Sequence, residues 1–379
     1  MLPIRTCLSP VIFALLSVNI TTAQTQNAPG VVPLSPSQEF RFISTTKTST
    51  FEKELNDWAR QGYRFARLAK AFNDMGIGGL LAREKEGEGG KYEYKMLATN
   101  KLSTMKKELE AGAAEGFEFR GITTEEKIMP FSYPETIVIM ERLVGESKRR
   151  YDYKFVSTQR EKTTQQELDA AVSEGFVPVE MVFGEDLNAM RVLFGAGFNF
   201  HVTIVLARDA NKPGAEMGKH EYRFLKTTKV STMEKEMNQL AKEGFQFHIT
   251  SIGSITIMSR PLKEKSQKYE YKLLATQRTG TMQKELTEMG LQDYQFLGTS
   301  TGAGGLVSVM ERGTSEVGRR PYEYKFLATT LESTTQKELN EALAGGYKFI
   351  EISALKTNAP ASEHLMILGR RKEAATEAK

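Results

Sequence analysis

Tyr92, Tyr94 and Met96 alternate with Glu93, Lys95 and Leu97, and a period of two marks a strand with one inward face. After Thr99 the period changes. Met105, Leu109, Gly112 and Ala113 form the stripe of an amphipathic helix, and Ser103-Thr104 offers a side-chain N-cap ahead of it. Gly116 stops that helix, because a C-terminal cap needs a left-handed backbone. A second strand follows, with Phe117 and Phe119 alternating with Glu118 and Arg120. A third, Ile137 to Met140, is closed by Glu141-Arg142. The predicted unit is strand, helix, strand, strand.

The same unit returns along the chain. The opening phrase Tyr92-Glu-Tyr-Lys95 recurs at Tyr151-Asp-Tyr-Lys154, Tyr269-Glu-Tyr-Lys272 and Tyr322-Glu-Tyr-Lys325. Looser copies stand at Glu39-Phe-Arg-Phe42 and Glu221-Tyr-Arg-Phe224. The helix stripe recurs as Phe51, Leu55, Trp58, Ala59, as Met233, Met237, Leu240, Ala241, and as Thr335, Leu339, Ala342, Leu343. Gly62, Gly175, Gly244 and Gly346 repeat the stop of Gly116, and the fifth copy has Asp293 there. Helices are expected to begin near Thr50, Ser103, Lys162, Ser231, Gly280 and Ser333.

A self-similar period of roughly fifty residues indicates a repeat protein. The predicted fold is α+β, with six tandem β-α-β-β modules, each a small sheet with one helix on one face. The modules span residues 38–84, 91–143, 150–209, 219–262, 268–312 and 321–371, the third carrying an insertion at 183–199. Right-handed crossover is expected to put the helix on one face of a mixed sheet, with strands two and three antiparallel. The opposite face, which carries residues such as Leu97, Ile122 and Val138, is only partly polar and suits burial against another module. A unit this small buries too little to stand alone, so neighbours must share core.

The N-terminus changes the picture of where the chain works. Arg5, the apolar stretch Leu8 to Ile20 and Thr21-Thr22-Ala23 read as a signal peptide over residues 1–23, cut before Gln24. Residues 24–37 read as a disordered spacer and 372–379 as a frayed tail. The apolar stretch is too short to span a bilayer, which takes ~20 helical residues. Cys7, the only cysteine, falls inside the signal, so the mature chain has no disulfide and no thiolate chemistry. Cleavage removes Arg5 and lowers the net charge from +4 to +3, with both signs interspersed. That balance gives no footprint for nucleic acid.

The pattern Tyr-Glu-Tyr-Lys, then Glu-Leu in a helix, then Glu115-Gly-Phe-Glu-Phe119 or Glu243-Gly-Phe-Gln-Phe247, then a strand ending in Glu-Arg, resembles a family of short bacterial strand–helix–strand–strand domains of unknown function. In that family the middle block commonly carries tryptophan where this chain has phenylalanine. The resemblance covers residues 38–371 as tandem copies. It implies a fold and brings no activity, cofactor or catalytic residue.

Candidate sites are few. Glu54, Glu108, Glu167, Glu236, Glu285 and Glu338 recur in what are expected to be first helical turns, where they would oppose the helix dipole. Thr45, Thr99, Thr158, Thr227, Thr276 and Thr329 follow the first strands and would organise the turn. Arg83, Arg142, Arg208, Arg260, Arg312 and Arg370 close the third strands and would pair with Glu93-type residues across the sheet. The sharper alternatives are a repeated polar ligand site and a basic row for an acidic partner. His201, His220, His248 and His364 occupy non-equivalent positions without metal-ligand spacing. The glycines of Gly76–Gly79, Gly195–Gly197 and Gly302–Gly305 lack a phosphate-binding lysine and read as hairpin turns. No catalytic, cofactor-binding or metal-ligating residue is assigned, and no cofactor is expected.

The functional expectation is an exported, non-enzymatic repeat protein, periplasmic or secreted, that presents surfaces to a protein or cell-envelope component. It has no nucleic-acid partner and no transmembrane segment in the mature chain. The alternative is a small-ligand or glycan-binding protein using the loops before the third strands, where Phe131, Tyr133, Phe194 and Phe198 offer stacking platforms. An enzyme is the remaining reading.

Overall fold

The computed structural model describes residues 38–371 except 71–75, 86–90, 126–134, 159, 187–198, 228, 252–254, 264–267, 277, 303–304, 315–320, 330–331 and 356–362. The predicted signal peptide, spacer and tail, and the aromatics Phe131, Tyr133, Phe194 and Phe198, lie outside the described residues. Among the described residues no helix is long and apolar enough to cross a membrane.

The first module runs β1 (Gln38–Thr45), α1 (Thr48–Ala59), β2 (Arg64–Lys70), β3 (Ile77–Glu84). The second is β4 (Tyr92–Thr99), α2 (Leu102–Ala114), β5 (Glu118–Glu125), β6 (Glu135–Leu143), and the third β7 (Tyr151–Thr158), α3 (Glu161–Ser173), β8 (Val177–Asp186), β9 (Asn199–Asp209). The fourth is β10 (His220–Lys226), α4 (Val230–Lys242), β11 (Gln246–Ser251), β12 (Ile255–Pro261). The fifth is β13 (Tyr269–Thr276), α5 (Thr279–Leu291), β14 (Gln295–Gly302), β15 (Gly305–Gly313). The sixth is β16 (Tyr322–Thr329), α6 (Glu332–Ala344), β17 (Lys348–Leu355), β18 (Glu363–Arg371). The six β-α-β-β modules expected from the sequence are thus present, and each helix begins within two residues of its expected start.

Each sheet has three strands with the third in the middle, in the order first, third, second. Both ladders are antiparallel, so the sheet is not mixed as expected. The crossover leaves a slot between the parallel first and second strands, and the third strand fills it. Each second strand also carries a bulge, between Phe65 and Arg67 in β2 and at the matching place in the other five.

Two helix-end details differ from expectation in one case and hold in the other. The N-cap of α2 is Lys101, extended and without a side-chain cap, so Ser103-Thr104 already lies inside the helix. Thr99 organises the entry instead, its Oγ1 accepting from the Lys101 N–H at 3.2 Å, as Thr45 Oγ1 does from Lys47 N–H at 3.3 Å. At the other end Gly116 has φ +89° and Asp293 φ +67°, the left-handed cap expected at both.

The cores lie between modules. Met105, Leu109 and Phe119 of the second module pack with Tyr153, Val179 and Val205 of the third. Phe51, Leu55 and Ile77 of the first pack with Tyr94, Ile137 and Ile139 of the second. Each helix is therefore sandwiched between its own sheet and the next. This explains the unbroken buried run Ile137–Glu141: alternate residues face different cores, with Val138 and Met140 on one side and Ile137 and Ile139 on the other.

The series closes on itself. Leu339, Leu343 and Phe349 of the sixth module share a core with Phe40, Phe42 and Leu80 of the first. The second strands neighbour one another in cyclic order, β2, β5, β8, β11, β14, β17 and back to β2. The molecule is a closed ring with its second strands innermost.

Candidate functional site

The recurring arginines brace each module from within. Arg142 donates to the Glu93 carboxylate at 2.7 Å and to the carbonyl of Glu115, the residue that ends α2, at 2.9 Å. Its guanidinium lies 4.5 Å over the Phe117 ring. Arg83, Arg208, Arg260, Arg312 and Arg370 repeat this arrangement over Tyr63, Phe176, Phe245, Tyr294 and Tyr347. The expected cross-sheet pairing is present, and each arginine also satisfies a helix C-terminal carbonyl. The recurring glutamates do not oppose the dipole as expected. Glu54 is the seventh residue of α1, and among the residues of the first turns only Glu161 of α3 is acidic in α1 to α5.

The exposed edges of the first strands are clipped by the preceding helix. Asn56 Oδ1 accepts from Tyr94 N–H at 3.0 Å, and its Nδ2 donates to Tyr94 O at 3.0 Å. Asn238 grips Tyr271 in the same way. Gln165, Gln283 and Gln336, one turn earlier on their helices, grip β10, β16 and β1. At the junction of modules two and three an ion pair between Arg149 and Glu110 takes that place. Open edges are an aggregation hazard, and here the amide side chains occupy them.

The second tyrosine of the repeat phrase reaches inward. The hydroxyls of Tyr94, Tyr153, Tyr271 and Tyr324 accept from the bulge N–H groups of Phe65, Phe119, Phe247 and Phe296 in the preceding module, at 2.7 to 2.8 Å. The third module has Pro178 at the bulge, without an N–H, and the first module has Phe40 in place of the tyrosine.

Around the axis the residue after the bulge is Arg67, Gly121, Glu180, Ile249, Gly298 and Glu351 in turn. Three charges from modules one, three and six therefore meet within the ring. Glu351 accepts from the Thr299 N–H at 3.0 Å and from the Thr299 hydroxyl. A Cβ on Gly298 would lie 3.3 Å from Glu351 Oε2, so the glycine leaves room for that reach. Glu180 accepts from the Met181 N–H at 3.1 Å, and Arg67 donates to the Ala66 carbonyl at 2.7 Å. Burial pushes both carboxyls up to about 7, although the Arg67 charge pulls each down. Burial lowers Arg67 against the pull of both glutamates. At the junction of β8 and β11 the His248 imidazole is pushed down by burial to about 4, and its Nε2–H donates to the Pro178 carbonyl at 2.8 Å.

Two further carboxylates lie at opposite junctions, Glu141 buried and Glu311 half-buried. Glu141, 1 % exposed, accepts from Arg64 Nη2 at 2.8 Å, from Arg120 Nε at 2.8 Å and from the Tyr94 hydroxyl at 2.7 Å. Glu311 accepts from the Tyr271 hydroxyl at 2.6 Å and is pushed up by burial to about 7.

Sequence reasoning missed Arg67, Glu180, Glu311 and Glu351 because it sought charges that recur. For Arg67, Glu180 and Glu351 the available signal was the reverse, a charge where sister copies hold glycine or isoleucine. Glu311 shares its position with Glu141, where the other copies hold Ala82, Ala207, Ser259 and Gly369. Of the histidines, the side chains of His201 and His364 lie outside the described residues. Among the described residues no group of three or more His, Cys, Asp or Glu side chains is placed to hold a metal ion. Comparison of the chain with family models, curated proteins and solved structures finds no match.

Proposed function

We propose that this chain is an exported, non-enzymatic ring that presents one end to a protein or cell-envelope partner. The observation that carries the reading is what closure uses up. Sheet faces go to neighbouring helices, and five of the six first-strand edges go to amide clips and the sixth junction to an ion pair, which leaves the ends of the ring for a partner. Within each module the second-to-third-strand connection and the helix start share one end, because first and second strands both run antiparallel to the third. Those connections vary from Gly302–Gly305 to Asp186–Asn199 on an otherwise repeated scaffold. Variable connections on a constant frame suit recognition.

The test is to shorten the 187–198 and 126–134 connections to the Gly302–Gly305 type and compare in-cell cross-linking with the parent. Loss of one specific cross-linked species at unchanged folding supports the reading, and an unchanged pattern sinks it. Mass spectrometry should give Gln24 as the N-terminus of exported material, and an intact Met1 would defeat the export part.

A second reading is favoured by the axial cluster. Glu180, Glu351 and Arg67 would suit a small polar ligand held within the ring, since two carboxyls near 7 can each donate or accept a proton. Glu351→Gln would then abolish ligand binding while leaving partner cross-linking intact.

A further inference from the structure

We infer that Glu311, at the junction of the fourth and fifth modules, anchors a binding site for a guanidinium group supplied from outside the chain. The ring contains its own comparison. Glu141 and Glu311 occupy the same position, opposite Tyr94 on β4 and Tyr271 on β13. Both receive that tyrosine's hydroxyl, and both hydroxyls accept from a bulge phenylalanine of the preceding module.

The surroundings then diverge. At the first junction Arg64, the opening residue of β2, reaches Glu141 and lies 4.4 Å over the Tyr92 ring. Arg120, from the β5 bulge, reaches the same carboxylate oxygen. At the other junction the counterpart of Arg64 is Gln246 and that of Arg120 is Leu297, while Tyr269 stands where Tyr92 does. The acceptor and the ring are kept and the two guanidinium groups are gone. Among the described residues Glu311 has no basic partner.

Access follows from the same comparison. Glu141 is 1 % exposed beneath its arginines, whereas Glu311 keeps part of its surface open. Gln246, at the counterpart of the Arg64 position, is itself only half-buried, which leaves an approach from solvent. A guanidinium entering there would meet the carboxylate in its plane and Tyr269 on its face. An ammonium has no planar fork and would fit less well. The titratable groups acting on or facing Glu311 are Tyr269, Tyr271 and Tyr322, all neutral in the working range. Binding should therefore follow ionisation of Glu311 itself. This site is independent of the proposed partner-binding end, and either can fail without the other.

The experiment uses the intact protein, with N-acetyl-arginine amide, methylguanidinium and butylammonium as probes in calorimetry. One guanidinium site is expected, about 30-fold weaker at pH 5.5 than at pH 8 because protonation of a carboxyl near 7 competes. Butylammonium should bind at least tenfold more weakly than methylguanidinium. Glu311→Gln should lose the site, and so should the pair Gln246→Arg with Leu297→Arg, which supplies guanidinium groups in place. Circular dichroism checks folding, and a carboxyl NMR titration of the parent should show the Glu311 midpoint falling when probe is added. Binding that survives either variant, no millimolar binding of either guanidinium probe, or an unmoved midpoint overturns the inference. Tighter binding of the arginyl probe than of methylguanidinium supports the site with a polypeptide source. Equal affinities support it with a free guanidino compound as source.

Discussion

Gln336, on the last helix, donates its Nε2–H to the backbone carbonyl of Phe40, on the first strand, at 2.6 Å across 296 residues of sequence. The same amide accepts from the Phe42 N–H at 3.2 Å. Such a clip repeats the local junction geometry of Asn56 on Tyr94, which spans 38 residues. Ring closure is thus one more copy of a neighbour contact, made between the ends of the chain.

Shared cores make the modules interdependent. Excised residues 91–143 keep Met105, Leu109 and Phe119 but lose the Tyr153, Val179 and Val205 that cover them. That fragment is expected to be poorly folded or to self-associate, since its core is about half a core. Deleting residues 321–379 should expose Phe40, Phe42 and Leu80 and promote association. Sedimentation and thermal melts would decide it. A monomeric fragment 91–143 that melts cooperatively would mean independent beads.

Two glycine caps separate backbone strain from crowding. Gly116 and Gly346 both have left-handed φ, +89° and +82°. A Cβ on Gly346 meets nothing within 4 Å, whereas on Gly116 it would sit 2.9 Å from Ser147 Cα. Gly346→Ala should cost about 1 kcal/mol, and Gly116→Ala about 1–2 kcal/mol more. Equal losses in urea midpoints would show that the Ser147 segment yields freely.

Arg142 should matter more than an exposed ion pair, which is worth a few tenths of a kcal/mol. It serves Glu93, the Glu115 carbonyl and the Phe117 ring together. Arg142→Ala is expected to cost about 1–2 kcal/mol. Arg60, 70 % exposed and paired with Asp57 on its own helix turn, is the control, and its alanine variant should stay within about 0.5 kcal/mol of the parent.

The stability of the ring should fall as pH rises from about 4.5 to about 7. Glu180, Glu311 and Glu351 have carboxyls raised by burial from the usual 4.5 to about 7. Below 4.5 both folded and unfolded chains hold these protons, and the groups contribute nothing. Between 4.5 and 7 only the unfolded chain releases them, so unfolding is favoured progressively; above about 7 the loss is complete. Urea midpoints should therefore be lower at about pH 8 than at about pH 5.5, and Glu351→Gln should flatten part of the slope. A midpoint that rises across this window would contradict the assignment.

The strand, helix, strand, strand unit was legible because alternation at Tyr92–Leu97 and the stripe from Met105 to Ala113 are local periodicities. Even the Asp293 cap could be read by alignment with the glycines. The helix entry was misread, because Ser103-Thr104 resembles a cap and only the extended backbone at Lys101 shows where the helix begins. The axial charges were illegible for a different reason. Arg67, Glu180 and Glu351 fall at one repeat position, but Gly121, Ile249 and Gly298 hold it in the other modules, so no recurring charge marks it, and the three are far apart in the chain.

By itself the sequence determined six similar units and the apolar faces each must cover, since periodicity and cap chemistry act over a few residues. What covers those faces was decided in three dimensions. The rotation from each module to the next brings α6 back onto β1, and no local pattern encodes that accumulated angle. The same rotation brings Arg67 towards Glu180 and Glu351, and carries Arg64 onto Glu141 at a junction whose counterpart has Gln246 in place of that arginine. Charges become buried partners, or are left without one, only when the ring closes around them.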